Sequence, residues 1–211
     1  MEIEKSKFDI DNYVIVKEAI STELADFVKE YFLMKRKVVE QMKYTRVISP
    51  YINYLGTWED PQMPNTYSHY ADFAMETLLC KVKPLMEQET GRKLYENYSY
   101  ARIYKYGDTL FRHKDRFSCE ISTTLNLGGD PWPIYLDPTG GTGNQGIEVN
   151  LRPGDMLVYK GALCEHWRYA FTGNQCVQVF LHYNDVNTEN AEQNKYDNRP
   201  FLGLPSCLAK D

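Results

Sequence analysis

Hydrophobic positions recur with one period in the first third of the chain and with another thereafter. Tyr13 to Lys17 alternates apolar and polar residues and predicts a short strand. Ser21-Thr22-Glu23 then offers a capping hydroxyl and an acidic first turn, and Leu24, Phe27, Val28, Tyr31 and Phe32 come after it at helical spacing. Residues 44–67 mix Pro, Asn, Gly and aromatics without a period and read as a long loop. A second helix is expected from Tyr70 to Gln88, carrying Phe73, Leu78, Leu79, Val82, Leu85 and Met86. Pro84 marks a kink or boundary in it, and Gly91 a stop.

From Leu94 onward the period is two. Strands are expected at 98–106, 117–127, 133–136, 147–151, 156–160, 164–171 and 176–183, separated by Gly, Pro and Asp turns. Short strands at this spacing, with no helices between them, imply a sandwich, jelly roll or barrel. The fold class is therefore mainly β with N-terminal helices. At 211 residues the chain suits one domain, with a helical support over 1–93, a β core over about 94–185 and a tail over 186–211. Within that tail, Pro200 to Pro205 is apolar enough to dock back on the body.

Gly141-Thr142-Gly143-Asn144-Gln145-Gly146 fits G-x-G-x-x-G, but a dinucleotide fingerprint needs a helix after it. Ile147 to Leu151 alternates like a strand instead, so the run reads as a connection between strands. A net charge of −5 argues against a nucleic-acid partner, and no apolar stretch approaches a membrane span. Met1 to Lys5 has no apolar core of a signal peptide. Five irregularly spaced cysteines suit free thiols in a reducing compartment, so a cytoplasmic location is expected. The seventeen tyrosines suit half-buried strand positions, with some available to line a polar pocket.

The chemistry concentrates in three residues. His113 and Asp115 are two apart, so on extended backbone their side chains share a face and can grip one ion. His166, from a distant strand, supplies a third ligand. Two imidazoles and one carboxylate leave open positions on an octahedral ion, which is the arrangement of non-haem Fe(II) oxygenases.

With these residues in order, the chain resembles the Fe(II)/2-oxoglutarate-dependent dioxygenases, in particular their prolyl 4-hydroxylase-like branch. The resemblance spans roughly Tyr98 to Asp185. It rests on Tyr104-Lys105-Tyr106-Gly107-Asp108, His113-Lys114-Asp115, Leu151-Arg152-Pro153-Gly154-Asp155 and His166. It implies a double-stranded β-helix (jelly-roll) core with Fe(II) held at its open end by His113, Asp115 and His166. It also implies 2-oxoglutarate and O2 as co-substrates, with succinate and CO2 released as a C–H bond is hydroxylated. The implied substrate is an amino acid or a peptide, prolyl residues among them. Asp115, where halogenating relatives carry a small residue, favours hydroxylation.

One position departs from the family pattern. The cation that binds the far carboxylate of 2-oxoglutarate stands past a glycine after the distal histidine, and here Gly173 is succeeded by Asn174, Gln175 and Cys176. Gln175 takes the expected place. Arg168, two residues beyond His166, should share that strand's inward face, and its planar fork suits a carboxylate. The resemblance makes Tyr104 a hydrogen-bond donor to the same group, with a core tyrosine as the alternative. Arg102 shares a face with Tyr104 as an auxiliary anchor or a substrate contact. Trp167 should point away from His166, Arg116 outward, and Asp155 into its own turn. His69 and His182 receive no catalytic role, whereas Thr124 and Asn126 are set to line the barrel. The long loop, through Tyr51, Tyr54 and Trp58, is expected over the mouth. Other readings are a cupin-like metalloenzyme that does without 2-oxoglutarate, or a non-catalytic jelly-roll binding protein that keeps the metal as structure.

Overall fold

The computed structural model describes residues 6–141 and 143–210. The expectation for Met1 to Lys5, and Thr142 of the glycine-rich run, lie outside the described residues. Two antiparallel sheets face each other. The strands of the larger are β1 (Tyr13–Val16), β8 (Met156–Lys160), β5 (Ile121–Gly129), β10 (Gln175–Asp185), β3 (Leu94–Lys105) and β2 (Tyr67–Tyr70), in that spatial order. The smaller runs β4 (Leu110–His113), β9 (Glu165–Arg168), β6 (Ile134–Asp137) and β7 (Ile147–Val149). This is the jelly roll among the three expected β architectures.

The central pairing of β10 with β3 decides which residues look inward. Its register sets Cys176 opposite Tyr104, Gln178 opposite Arg102 and Phe180 opposite Tyr100. Because side chains alternate along a strand, these even-numbered residues face the small sheet. The odd-numbered Val177, Val179 and Leu181, with Ala101 and Ile103, pack into the core beneath two helices. Those helices are α2 (Thr22–Tyr44) and α3 (Phe73–Thr90), which bury Val28, Phe32, Leu78, Leu79 and Met86 against the sheet. Ser21 caps α2 by accepting from the Leu24 amide at 3.2 Å, as the sequence predicts.

Several boundaries differ from the expectations. α2 runs to Tyr44, and α3 starts only at Phe73, because Tyr67–Tyr70 pairs with the edge of β3 and Asp72 caps the helix. Asp72 accepts from the Ala74 amide at 2.9 Å and the Met75 amide at 3.2 Å. α3 continues through Pro84 to Gly91, whose φ of 70° closes it. The strand expected from Phe117 is a turn of 3-10 helix at Phe117–Cys119 and then β5. Helix α1 (Lys7–Asp11) and strands β2 and β4 were missed, each being too short to display a period.

The glycine-rich run joins β6 to β7 and leads into a strand, as read from the sequence. The tail docks as expected, with Leu202 packed against the core, and polar groups add to it: buried Arg199 pairs with Glu76 at 2.8 Å, and the Gly203 amide donates to the same carboxylate. Among the described residues all five cysteines are free thiols, and no helix is long and apolar enough to cross a membrane.

Candidate active site

Strands β4 and β9 pair so that His113 lies directly opposite His166, which brings the ring centroids to 4.2 Å. Asp115 comes just past β4 on the chain, where its amide donates to the Gly161 carbonyl at 2.9 Å. Its Oδ1 then stands 3.7 Å from His113 Nε2 and 3.6 Å from His166 Nε2. The Nδ1 atoms lie 2.7 Å and 3.2 Å from the Phe111 and Cys164 carbonyls, which only accept hydrogen bonds. Both Nδ1 atoms therefore carry the proton, and both Nε2 lone pairs turn towards Asp115. That is the tautomer a metal ligand needs. Burial pushes the His166 imidazole down to about 4, partly countered by Asp115, so it is neutral near pH 7.

The other carboxylate oxygen is also fixed. Ser122 Oγ donates to Asp115 Oδ2 at 2.7 Å and lies 3.0 Å from His182 Nδ1. The approach depends on Gly161, where a Cβ would sit 2.7 Å from Asp115 Oδ2 and 2.5 Å from Ser122 Oγ, and would overlap the Cys119 carbonyl. A cavity of about 360 Å³ opens over the triad, bounded by Arg102, Phe180 and His182 among others.

Deeper in the barrel, Arg168 shares the inward face of β9 with His166 and is only 1 % exposed. Its Nη1 donates to the Trp132 carbonyl and its guanidinium lies 4.8 Å from the centre of that ring. Nε has no partner among the described residues. Cys176, Tyr104 and Tyr159 are the ionisable groups around it, burial lowers its proton affinity, and it pairs with no carboxylate among the described residues. A guanidinium buried without an anion is costly, so the set of groups here fits an incoming carboxylate. Tyr104 is fully buried and packs edge-on to Trp132.

One of the expected anchors, Gln175, is corrected, and another, Arg102, is engaged by the loop. Gln175 has the parity of Val177 and Ile103, so it lies on the face away from Arg168. The inward neighbour is Cys176, a small residue that leaves room where a longer cation would reach. Arg102 does face inward, but its Nη2 is spent on Asp60 Oδ2 at 2.5 Å and Gln62 Oε1 at 2.6 Å. It fastens the long loop while still lining the cavity.

That loop does reach the mouth, through residues other than those expected. Asp60 and Gln62 line the cavity, and Gln62 Nε2 lies 3.2 Å from His113 Nε2. Trp58 instead packs on Tyr67 at 4.8 Å, while Tyr51 and Tyr54 border a neighbouring cleft. Trp167 points away from His166 and stacks on Tyr135 beneath Arg112. Asp155 accepts from the Arg152 and Glu18 amides and from Lys17, as its turn role requires. Thr124 lines the cavity, whereas Asn126 holds Gln178 and the Leu151 carbonyl. Arg116 is exposed, yet it covers the Tyr98 ring at 4.8 Å and pairs with Asp197 at 2.8 Å on the rim. His69 is structural, joining Asp72 to the Tyr54 carbonyl. Sequence reasoning missed Ser122, Gly161 and the cavity position of His182. Only strand parity pointed to Ser122 and His182, in pairings that carry register irregularities, and Gly161 lies in the turn after β8, where parity says nothing.

Solved structures share this fold. A Pseudomonas putida prolyl-4-hydroxylase superposes with a TM-score of 0.58 at 12 % identity, covering 84 % of this chain and 95 % of the other. HygX from Streptomyces hygroscopicus, with nickel and 2-oxoglutarate bound, gives 0.59 at 14 % identity, covering 85 % of each chain. SnoN, a non-haem α-ketoglutarate-dependent epimerase from nogalamycin biosynthesis, gives 0.60 at 16 % identity over 85 % of this chain and 78 % of its own. The fold is the double-stranded β-helix of these oxygenases. No family model matches the sequence, and no curated protein is similar to it in sequence.

Proposed function

We propose that this chain is an Fe(II)- and 2-oxoglutarate-dependent oxygenase that hydroxylates a C–H bond of an amino-acid, peptidyl or other small-molecule substrate. The observation that carries the reading is Arg168, a fully buried guanidinium with no acid beside it among the described residues, placed on the same strand face as a metal-type histidine. A buried cation there suits a dicarboxylate co-substrate, which a cupin-like enzyme without 2-oxoglutarate does not require.

In this reading His113, Asp115 and His166 hold the iron, and Arg168 with Tyr104 holds the far carboxylate of 2-oxoglutarate. Bound iron and 2-oxoglutarate supply the activation of O2, with succinate and CO2 as products. The protein's own work is positioning. Ser122 keeps one oxygen of Asp115 turned to the histidines, the carbonyls of Phe111 and Cys164 keep the imidazole tautomers, and the two sheets exclude water from the Arg168 end. Substrate enters past Phe180, Tyr100 and Arg116, the aromatic and cationic wall of the cavity. Relatives of this fold act on different molecules: one HygX structure contains hygromycin B, and another solved structure is a prolyl-4-hydroxylase. The loop carrying Asp60 and Gln62 therefore sets which substrate is admitted, and five free thiols suit a reducing, cytoplasmic setting.

The test is incubation with Fe(II), O2 and 2-oxoglutarate. Succinate should form, and mass spectrometry of added peptides and metabolites should show a product one oxygen atom heavier. Succinate no higher than in the protein-free control would refute the reading.

A further inference from the structure

Asp115 presents its two oxygens to two different groups of side chains. Oδ1 faces His113 and His166, whereas Oδ2 accepts from Ser122, which in turn meets His182. Cys119 ends the turn Phe117–Cys119, and His182 is an inward residue of β10. One donor atom from each of Asp115, Cys119 and His182 lies within 4.8 Å of the other two. Cys119 and His182 are 2 % and 6 % exposed, and both face the cavity over the triad. Ser122 Oγ spans the carboxylate and the imidazole, 2.7 Å from one and 3.0 Å from the other, where a cation would bridge them. Tyr98 Oη lies 3.0 Å from Cys119 Sγ, within reach to donate to a thiolate.

We propose that Asp115, Cys119 and His182 form a second metal site, one that takes zinc and competes with the histidine triad for its carboxylate. The donor sets differ in softness: the triad offers nitrogen and oxygen, whereas the second group adds a sulfur, which selects zinc over Fe(II). On binding, the thiol proton passes to solvent, and a carboxylate plus a thiolate neutralise the dication inside the barrel. With Asp115 drawn to zinc, the triad loses its only anionic ligand and releases iron. Zinc would therefore antagonise iron without occupying the same histidines.

Metal titration of the chelator-treated full chain tests this. Cobalt(II) stands in for zinc, because thiolate ligation gives it an intense near-ultraviolet charge-transfer band. The variant His113→Ala/His166→Ala should still bind one equivalent of cobalt with that band, and adding Cys119→Ser should abolish it. With the triad intact, Cys119→Ser and His182→Phe should each raise the zinc concentration that displaces iron by at least about tenfold. A folded double variant that lacks the band overturns the proposal, as does iron displacement that neither single variant shifts. Should the double variant not fold, the two single variants decide alone. None of these readouts depends on turnover, so a failure of the oxygenase reading leaves them standing.

Discussion

Arg168 stands two residues beyond His166 on one face of β9, beside Cys176 and, among the described residues, facing no acid. Removing a bidentate, charge-assisted partner from a buried carboxylate costs about 2–5 kcal/mol, and each 1.4 kcal/mol is about a decade in affinity. Arg168→Ala should therefore raise the apparent 2-oxoglutarate constant at least about tenfold while leaving Fe(II) binding near normal. Arg168→Lys should recover part of the loss, because an ammonium lacks the fork. Cys176→Lys should restore binding to Arg168→Ala, and Gln175→Lys should not, since only Cys176 faces inward. Titrating 2-oxoglutarate against Fe(II)-loaded variants decides; an unchanged constant in Arg168→Ala would remove it as the anchor.

The hydroxyl of Ser122 holds Asp115 Oδ2 at 2.7 Å, and outer partners of metal ligands typically tune affinity by about 10–100-fold. Ser122→Ala should weaken Fe(II) binding within that range with the fold retained. His113→Ala, Asp115→Ala and His166→Ala should each abolish succinate formation. Fe(II) titration with circular dichroism separates the two classes of effect.

Two of the three buried imidazoles make the metal-free protein sensitive to acid. Burial pushes both His166 and His182 down to about 4, while an unfolded histidine titrates near its usual value of 6.5. Below 6.5 the unfolded chain takes up protons that the folded chain refuses. Their contribution to stability is thus complete above pH 6.5 and is lost progressively as the pH falls to about 4. Melting temperatures of the metal-free protein should drop across that window, and His182→Phe should flatten the slope. A wild-type slope that His182→Phe leaves unchanged would show that His182 titrates normally.

How much of this was legible in the sequence depends on the range of the interaction. The triad was readable because ligand chemistry constrains residue types as well as spacing, and both long helices announced themselves through caps and period. Arg168 was reachable by counting two from His166. Gln175 was misjudged because counting along a chain says nothing about which face a residue takes after a turn; the pairing of Cys176 with Tyr104 settles that. Ser122 and His182 come together from strands sixty residues apart, a register the sequence does not display.

Arg102 and Asp60 offer a handle on the mouth. Their side chains are 6 % and 9 % exposed, so removing one leaves the other charge buried. Asp60→Asn should lower the melting temperature and speed amide exchange across residues 57–63, with the sheets unchanged. Hydrogen-exchange mass spectrometry reads this directly, and exchange equal to wild type would mean that the loop is held elsewhere.

The missing side chain at Gly161 divides the chain into parts that can drift and one that cannot. Any larger residue there collides with Asp115, Ser122 and the Cys119 carbonyl at once, so mutation at that position is closed as firmly as at a ligand. The loop bearing Asp60 and Gln62 meets no such restriction along most of its exposed length. Substitutions in that loop should therefore be tolerated where any at Gly161 would disturb the carboxylate of Asp115.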